Sequence, residues 1–475
     1  MNPGANQTGA GQPPTRILLK RVWADIRRGL LVCLLMLVSL AGGLYVKSEH
    51  IVLGAEAYLY GYPLVITDVT RANAALTVGP ENQLRRVRQF PDASFKDVVR
   101  PNVDTLYTTA FVDTARGPWV FEMTANDQRY EVMAFMDGWT NVFAAPGTRT
   151  TGTQGGKFLL AGPGWQGPTP AGLTLLQSPT QMVWLIGRTQ TNGVADYPLV
   201  HGLQDGLTLK SLNDWLAGKP EPVPAWQPAP VKPLPPPDQM QAMSVQTFFS
   251  RLALLMATNP PKAADGPIRA KMARIGIAPG QPPDWNLLDR WSVGLGRWIA
   301  DRRIARELKT PRDLVRGWST PPSMLGNYGT HYNIRAVVAR VGLGANWPAD
   351  ATYPNARVDT QGRALDGSHA YRIRFTPGSL PPVKAFWSVT AYGADDALID
   401  NPQRRYAVGD REPLVFNADG SLDVLIQAAP PAPPMRANWL PVEAGKPFLL
   451  NARLYWPLAE ALDGRWGMPG VERLP

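Results

Sequence analysis

The run GLLVCLLMLVSLAGGLYV, Gly29 to Val46, carries no charge over eighteen residues. As a helix it rises about 27 Å, at the short end of what crosses a hydrocarbon core of about 30 Å. Inside a bilayer a single segment can satisfy its backbone only as a helix, so this run constrains the chain before any other feature does. Arg16, Lys20, Arg21, Arg27 and Arg28 precede it against Asp25 alone. Such a flank stays in the cytoplasm and sends the following chain outward. Residues 1–28 therefore read as a cytoplasmic basic tail and 29–46 as a transmembrane anchor or signal segment. Residues 47–475 are expected on the periplasmic side of the inner membrane. Ser39-Leu40-Ala41 has the small-x-small form of a signal-peptidase site, so the alternative is a cleaved, secreted or periplasmic protein. A buried core helix would leave the basic flank unexplained. Cys33, the only cysteine, lies inside the run, which leaves the exported part without a disulfide, a thiolate metal site or a cysteine nucleophile.

A chain of 475 residues exceeds what one hydrophobic core supports, roughly 250 to 300 residues. Its 48 prolines and 44 glycines favour short elements joined by turns, and so β structure. The net charge of +10 is local: Val245 to Gly317 holds thirteen Lys/Arg against six acids, and most of the remaining surplus precedes residue 50. No aromatic-basic run or zinc-finger spacing accompanies it, so nucleic acid is not an expected partner.

Ala55, Tyr58, Leu59 and Tyr62 suit a short helix stopped near Gly61-Tyr62-Pro63. After Pro101 the period changes to two. Val103–Asp113, Trp119–Met123, Tyr130–Met136 and Trp139–Ala145 read as successive strands of a meander, continued by Phe158–Leu160 and Met182–Gly187. Residues 51–223 are thus expected to form an N-terminal β-sandwich domain. PAWQPAPVKPLPPPDQ, within 224–239, reads as a stiff Pro-rich linker. Phe248, Leu252 and Leu255, then Ile268, Met272 and Ile275, then Leu288, Trp291, Leu295 and Trp298 restore a period of 3.6, which makes 240–320 a small helical domain. Residues 321–475 read as a jelly-roll-like β-sandwich. The fold class expected is mainly β with an α insertion, preceded by one N-terminal membrane segment.

PNVDTLYTTAFVD, DGWTNVF, RTTGTQGGKFLLAGPGW, LPPVKAFWSVTAYG, NPQRRYAVGD, NADGSL, NWLP and LDGRWGMP, in that order, resemble a two-part bacterial family. It is the pair of domains of unknown function numbered 1254, N-terminal, and 1214, C-terminal. The resemblance covers nearly everything from Ile51 onward. It implies a β-sandwich, an inserted helical domain and a jelly-roll-like C-terminal domain, and it brings neither an established reaction nor catalytic residues.

The residues themselves suggest two candidate ligand sites. Asn102 and Asp104 stand at the mouth of a strand, and a returning fourth strand would bring Arg149 to them. An amide, a carboxylate and a guanidinium suit a polar or anionic ligand. The alternative is that Asn102 and Asp104 cap a strand start while Arg149 neutralises the acid. Trp139 and Asn141 share a face after the Asp137-Gly138 turn and could hold a sugar ring; the alternative is a core tryptophan. Asp104 and Asp137 do not suit a glycosidase pair, because a meander separates them by most of a strand. Tyr107 and Thr105 should face away from Asn102 and Asp104. In the C-terminal part, Phe386, Ser388, Thr390 and Tyr392 share one face and Trp387 and Val389 the other, while Arg453 and Tyr455 could line a domain interface.

Other motifs are absent. GPGWQG lacks the helix a dinucleotide site needs, TGTQGGKF lacks the Walker spacing, and four scattered histidines make no metal site or triad. No metal and no cofactor are expected. The expected function is a membrane-anchored envelope protein that binds a polar or glycan-like ligand. The alternatives are a hydrolase or lyase acting on a polar substrate, and a structural protein whose basic helical part meets membrane or partner.

Overall fold

The computed structural model describes residues 14–96, 99–223, 225–309 and 314–475. Helix Pro14–Val46 exposes its apolar side chains from Leu30 to Val38. Among the described residues, Asp25–Val46 is the one helix long and apolar enough to cross a membrane. Only Lys47 separates it from helix Ser48–Thr77, and the backbone bonds Lys47 N to Gly43 O, 3.0 Å, and Ile51 N to Lys47 O, 3.3 Å, carry the helical path through.

Helix Ser48–Thr77 is buried on every side over most of the stretch from Leu53 to Val69, as a helix at the centre of a bundle must be. The stop expected at Gly61-Tyr62-Pro63 does not occur. Pro63 lies inside the helix, where burial among the surrounding helices outweighs one missing backbone bond. Gly61 serves packing: a Cβ there would lie 2.3 Å from Leu252 Cδ2 of helix Val245–Thr258. Helices Pro236–Ala242, Val245–Thr258, Gly266–Ala273, Leu287–Lys309 and Tyr332–Val341 surround it and share one core. The helical part is therefore no self-contained insert over 240–320. It needs a helix from before the first sheet and takes Tyr332–Val341 from the stretch read as β domain. The Pro-rich segment lies on the bundle instead of spanning open space, with Trp226 Nε1 donating to Ala75 O at 2.9 Å and Ala229 N to Leu76 O at 2.8 Å, and helix starts already at Pro236.

The first β region has two sheets. One runs in the order Arg85–Arg86, Thr105–Asp113, Met182–Gln190, Glu131–Asp137, Val142–Ala144; the other in the order Thr174–Gln177, Gly156–Ala161, Trp119–Met123, Thr208–Ser211. Val112, Phe121, Met133, Phe135, Leu160, Leu185 and Leu209 share the core between them. The sequential meander is thus corrected: Trp119–Met123 leaves for the second sheet, and Met182–Gln190 enters between the strands that precede and follow it. Asp104 and Asp137 still stand at opposite ends, since Thr105 pairs with Gln190 and Asp137 with Val183. Trp139 lies in a turn before the short strand Val142–Ala144, with Thr140 at φ 68°.

The second β region also has two sheets, one centred on Val383–Gly393 and Phe448–Pro457, the other on Tyr371–Phe375 and Leu422–Gln427. Trp387, Val389 and Ala391 point into the core that these sheets share. Phe386, on the alternate face, joins Tyr130, Val132, Ala134, Met136, Ile186 and Tyr455 in a separate core. The two β regions thus meet sheet to sheet along a seam, and the functional question is what that seam contains.

Candidate ligand cleft at the seam

The seam is polar at one end and closed. Asn102 Oδ1 accepts from the backbone N–H groups of Asp104, 2.6 Å, and Thr105, 3.1 Å, and its Nδ2 donates to the Tyr455 hydroxyl at 2.8 Å. The bend these bonds impose turns Asp104 out of the strand's alternation, so Asp104 and Tyr107, expected on opposite faces, both border the seam. Asp104 is fully buried. Its carboxylate accepts from Ser388 Oγ at 2.7 Å, from Tyr455 at 3.4 Å and from Arg411, whose Nη1 also reaches the Asp104 and Thr191 carbonyls at 3.0 and 2.8 Å. Arg411 lies 4.2 Å from the Phe386 ring centroid. Nearby, buried Arg453 donates to Thr390 Oγ1, 2.8 Å, and to the Tyr392 hydroxyl, 2.6 Å, which in turn donates to Pro101 O at 2.7 Å. Burial and then the Asp104 charge raise the Tyr455 pKa well above its ordinary value, so this hydroxyl stays a donor. Asp104 thus acts as the centre of an internal lock, out of reach of solvent.

The expected Asn102–Asp104–Arg149 cluster is not formed. Arg149 does return to the same end of the sheet, beside Glu131, but two strands away from Asp104, and its partner is Asp350. Its Nε and Nη2 donate to the two Asp350 oxygens at 2.6 and 3.0 Å. Burial raises the Asp350 pKa against the pull of that pairing. The guanidinium lies 5.8 Å from the centroid of Trp347, and its Nη1 makes no hydrogen bond to a described residue.

Arg149 and Trp347 line a cleft of about 470 Å³, whose other walls include Thr320, Ser323, Asn327 and Thr352. A fixed planar cation, an indole, three hydroxyls and a carboxamide are the groups that orient a polar ligand. Ser323 and Asn327 are exposed and so open to one.

Trp139 and Asn141 take no part. Both are buried at the far end of the sheet: Trp139 Nε1 donates to Asn259 O at 3.2 Å with its ring 4.7 Å from Tyr60, and Asn141 Nδ2 is spent on Asp137. A sugar platform there is excluded by the helices packed over it. Of the five sequence candidates only Arg149 reaches the cleft. Trp347, Ser323 and Asn327 had no pattern to mark them, and Arg411 lies one residue beyond the motif NPQRRYAVGD. Among the described residues no group of three His, Cys, Asp or Glu could hold a metal ion.

Two family profiles match this chain: protein of unknown function DUF1254 at residues 81–211 and DUF1214 at residues 350–459. The chain belongs to this two-part family. The DUF1254 and DUF1214 segments meet at the seam, the first supplying Asp104 and Arg149, the second Ser388, Arg411, Tyr455 and Asp350. Among solved structures, the VPA0106 protein from Vibrio parahaemolyticus is 25% identical, with a TM-score of 0.69 over 90% of this chain and 100% of that one. A protein from Burkholderia cenocepacia is 14% identical, with a TM-score of 0.44 over 97% of this chain and 98% of that one. No curated protein matches the chain.

Proposed function

We propose that this DUF1254–DUF1214 protein is anchored in the inner membrane, carries its folded body in the periplasm, and binds a polar, glycan-like or sugar-acid ligand in the Arg149–Trp347 cleft. The observation that carries the reading is Arg149 itself: two of its nitrogens are held on Asp350 and a third is left for a ligand beside an aromatic ring. Retention of the anchor is supported by the near-continuous helical path from the apolar run into the buried core helix, together with the exposed Arg27 and Arg28 at its inner end. The two sheet pairs are read as a sandwich and a jelly-roll-like unit, on the grounds that each pair shares one core. An enzyme built on Asp104 finds no support, because its carboxylate is consumed by Arg411, Ser388 and Tyr455.

The test is a thermal-shift screen of the detergent-solubilised full chain against neutral sugars, amino sugars, sugar acids and envelope oligosaccharides. Binding to the folded state raises the midpoint through mass action. A rise with one class supports the reading; a midpoint unmoved by every class at millimolar concentration removes it.

A further inference from the structure

Helix Leu287–Lys309 has two faces. Ser292, Val293, Ala300 and Ile304 are buried toward helix Ser48–Thr77 and its bundle. The opposite face exposes Leu287, Trp291, Leu295 and Trp298 by 67, 59, 36 and 52%. Single exposed apolar residues are ordinary, whereas a continuous stripe with two tryptophans requires an account.

The stripe's starting point supplies one. Leu288 packs over Gly43 near the end of the apolar run: a Cβ at Gly43 would lie 3.1 Å from Leu288 Cδ1. One residue on, Lys47 Nζ pairs with Asp289 at 2.9 Å; then Gly54 meets Val293, and Arg297 stands 5.4 Å from the Tyr58 ring. The contacts advance in the same order on both helices, so Leu287–Lys309 starts beside the outer end of the span and climbs away parallel to the core helix. Trp291 then stands about 6 Å above Leu287 and Trp298 about 16 Å above it. The interfacial layer is about 5 to 7 Å deep on each side of a core of about 30 Å, which admits the first tryptophan and leaves the second outside. At the other end of the span, Trp23 is exposed just before Arg27 and Arg28. Trp23 and Tyr45 are about 33 Å apart along the helix, close to the core thickness, and Trp and Tyr concentrate at both interfaces.

We propose that the start of helix Leu287–Lys309 is seated in the outer lipid interface. Leu287 and Trp291 enter the acyl–headgroup boundary beside Tyr45, exposed Arg290 meets lipid phosphates, and Trp298 stands in water. The single span thereby gains a second helical foot at the outer surface, which sets how the body stands on the bilayer. The inference rests on the reading of the apolar helix as a retained anchor.

The test uses the full chain with Cys33→Ser and one new cysteine at a time, Leu287→Cys, Trp291→Cys or Trp298→Cys. Each carries an environment-sensitive fluorophore in phosphatidylethanolamine–phosphatidylglycerol vesicles, with or without nitroxide-labelled lipid. All three positions are exposed, so the substitutions leave packing intact. The expected result is blue-shifted emission with loss of intensity to nitroxide lipid at 287 and 291, and water-like, unquenched emission at 298. Water-like emission at all three positions, or equal quenching at all three, overturns the proposal. Alkaline carbonate washing separates the causes: protein that stays with the vesicles but shows water-like probes loses this proposal alone, and protein that washes off loses the anchor reading and this one with it.

Discussion

Asp104 and Arg411 decide how firmly the two β regions hold together. The acid is wholly buried and the Arg411 side chain is 15% exposed, so neither charge is well solvated. Removing one partner strands the other. Arg411→Met should cost about 3 to 5 kcal/mol, while Asp104→Asn combined with Arg411→Met should cost clearly less, because no uncompensated charge remains. Chemical unfolding of the two variants checks this, and equal losses would contradict it. Glu131 is a second buried carboxylate, with Asn126 donating to it at 2.7 Å. Burial pushes its carboxyl up to about 7 from 4.5, against the Asn126 bond. The folded state therefore keeps a proton that the unfolded state has released. Glu131's contribution is full below about pH 4.5, falls as the pH rises, and is lost above about 7; a shift of that size corresponds to roughly 3 kcal/mol. Glu131→Gln should remove that part of the slope, so the stability difference between variant and parent should grow from pH 4.5 to 8. A constant difference would show that Glu131 is not the group responsible.

At the scale of elements, the contact between helices Ser48–Thr77 and Leu287–Lys309 depends on glycine. A Cβ at Gly296 would lie 2.1 Å from Ile51 O and 2.8 Å from Ala55 N, backbone atoms that cannot rotate aside. Gly296→Ala should therefore lower stability by about 1 to 3 kcal/mol despite alanine's better helix propensity. Gly294→Ala, whose new Cβ would meet only Val245 Cγ2 at 3.3 Å, should be near neutral in the same melting experiment. These contacts also explain what could be read from sequence. The alternation of Phe386, Ser388, Thr390 and Tyr392 against Trp387 and Val389 follows from the pleat of one strand, and it divides that strand's faces as expected. What meets the first face is not local: Ser388 finds Asp104 across 284 positions, and Arg411 finds it across 307. Gly61-Tyr62-Pro63 misleads for the same reason, since the packing that keeps the helix intact comes from residues nearly two hundred positions later. Trp139, in a turn, is covered by a helical bundle that no pattern near it announces.

At the scale of the whole molecule, the span, the bundle and the two β regions form one path from membrane to cleft. The bundle's central helix continues the span, the first sheet rests on the bundle through Trp139 and Asn259, and the second β region is locked to the first by Asp104 and Arg411. A phosphatase reporter fused after His50 should be active and a cytoplasm-dependent reporter inactive; the reverse pattern would overturn the orientation. The cleft then opens on the envelope side, where Ser323 and Asn327 offer groups that no internal contact needs. A calorimetric titration of the stabilising polar ligand into the parent chain and into Ser323→Ala, Asn327→Ala tests the central claim most directly. Two lost hydrogen bonds should weaken binding about tenfold with the melting midpoint of the free protein unchanged. Equal affinity in the two proteins would place the ligand elsewhere and contradict the account.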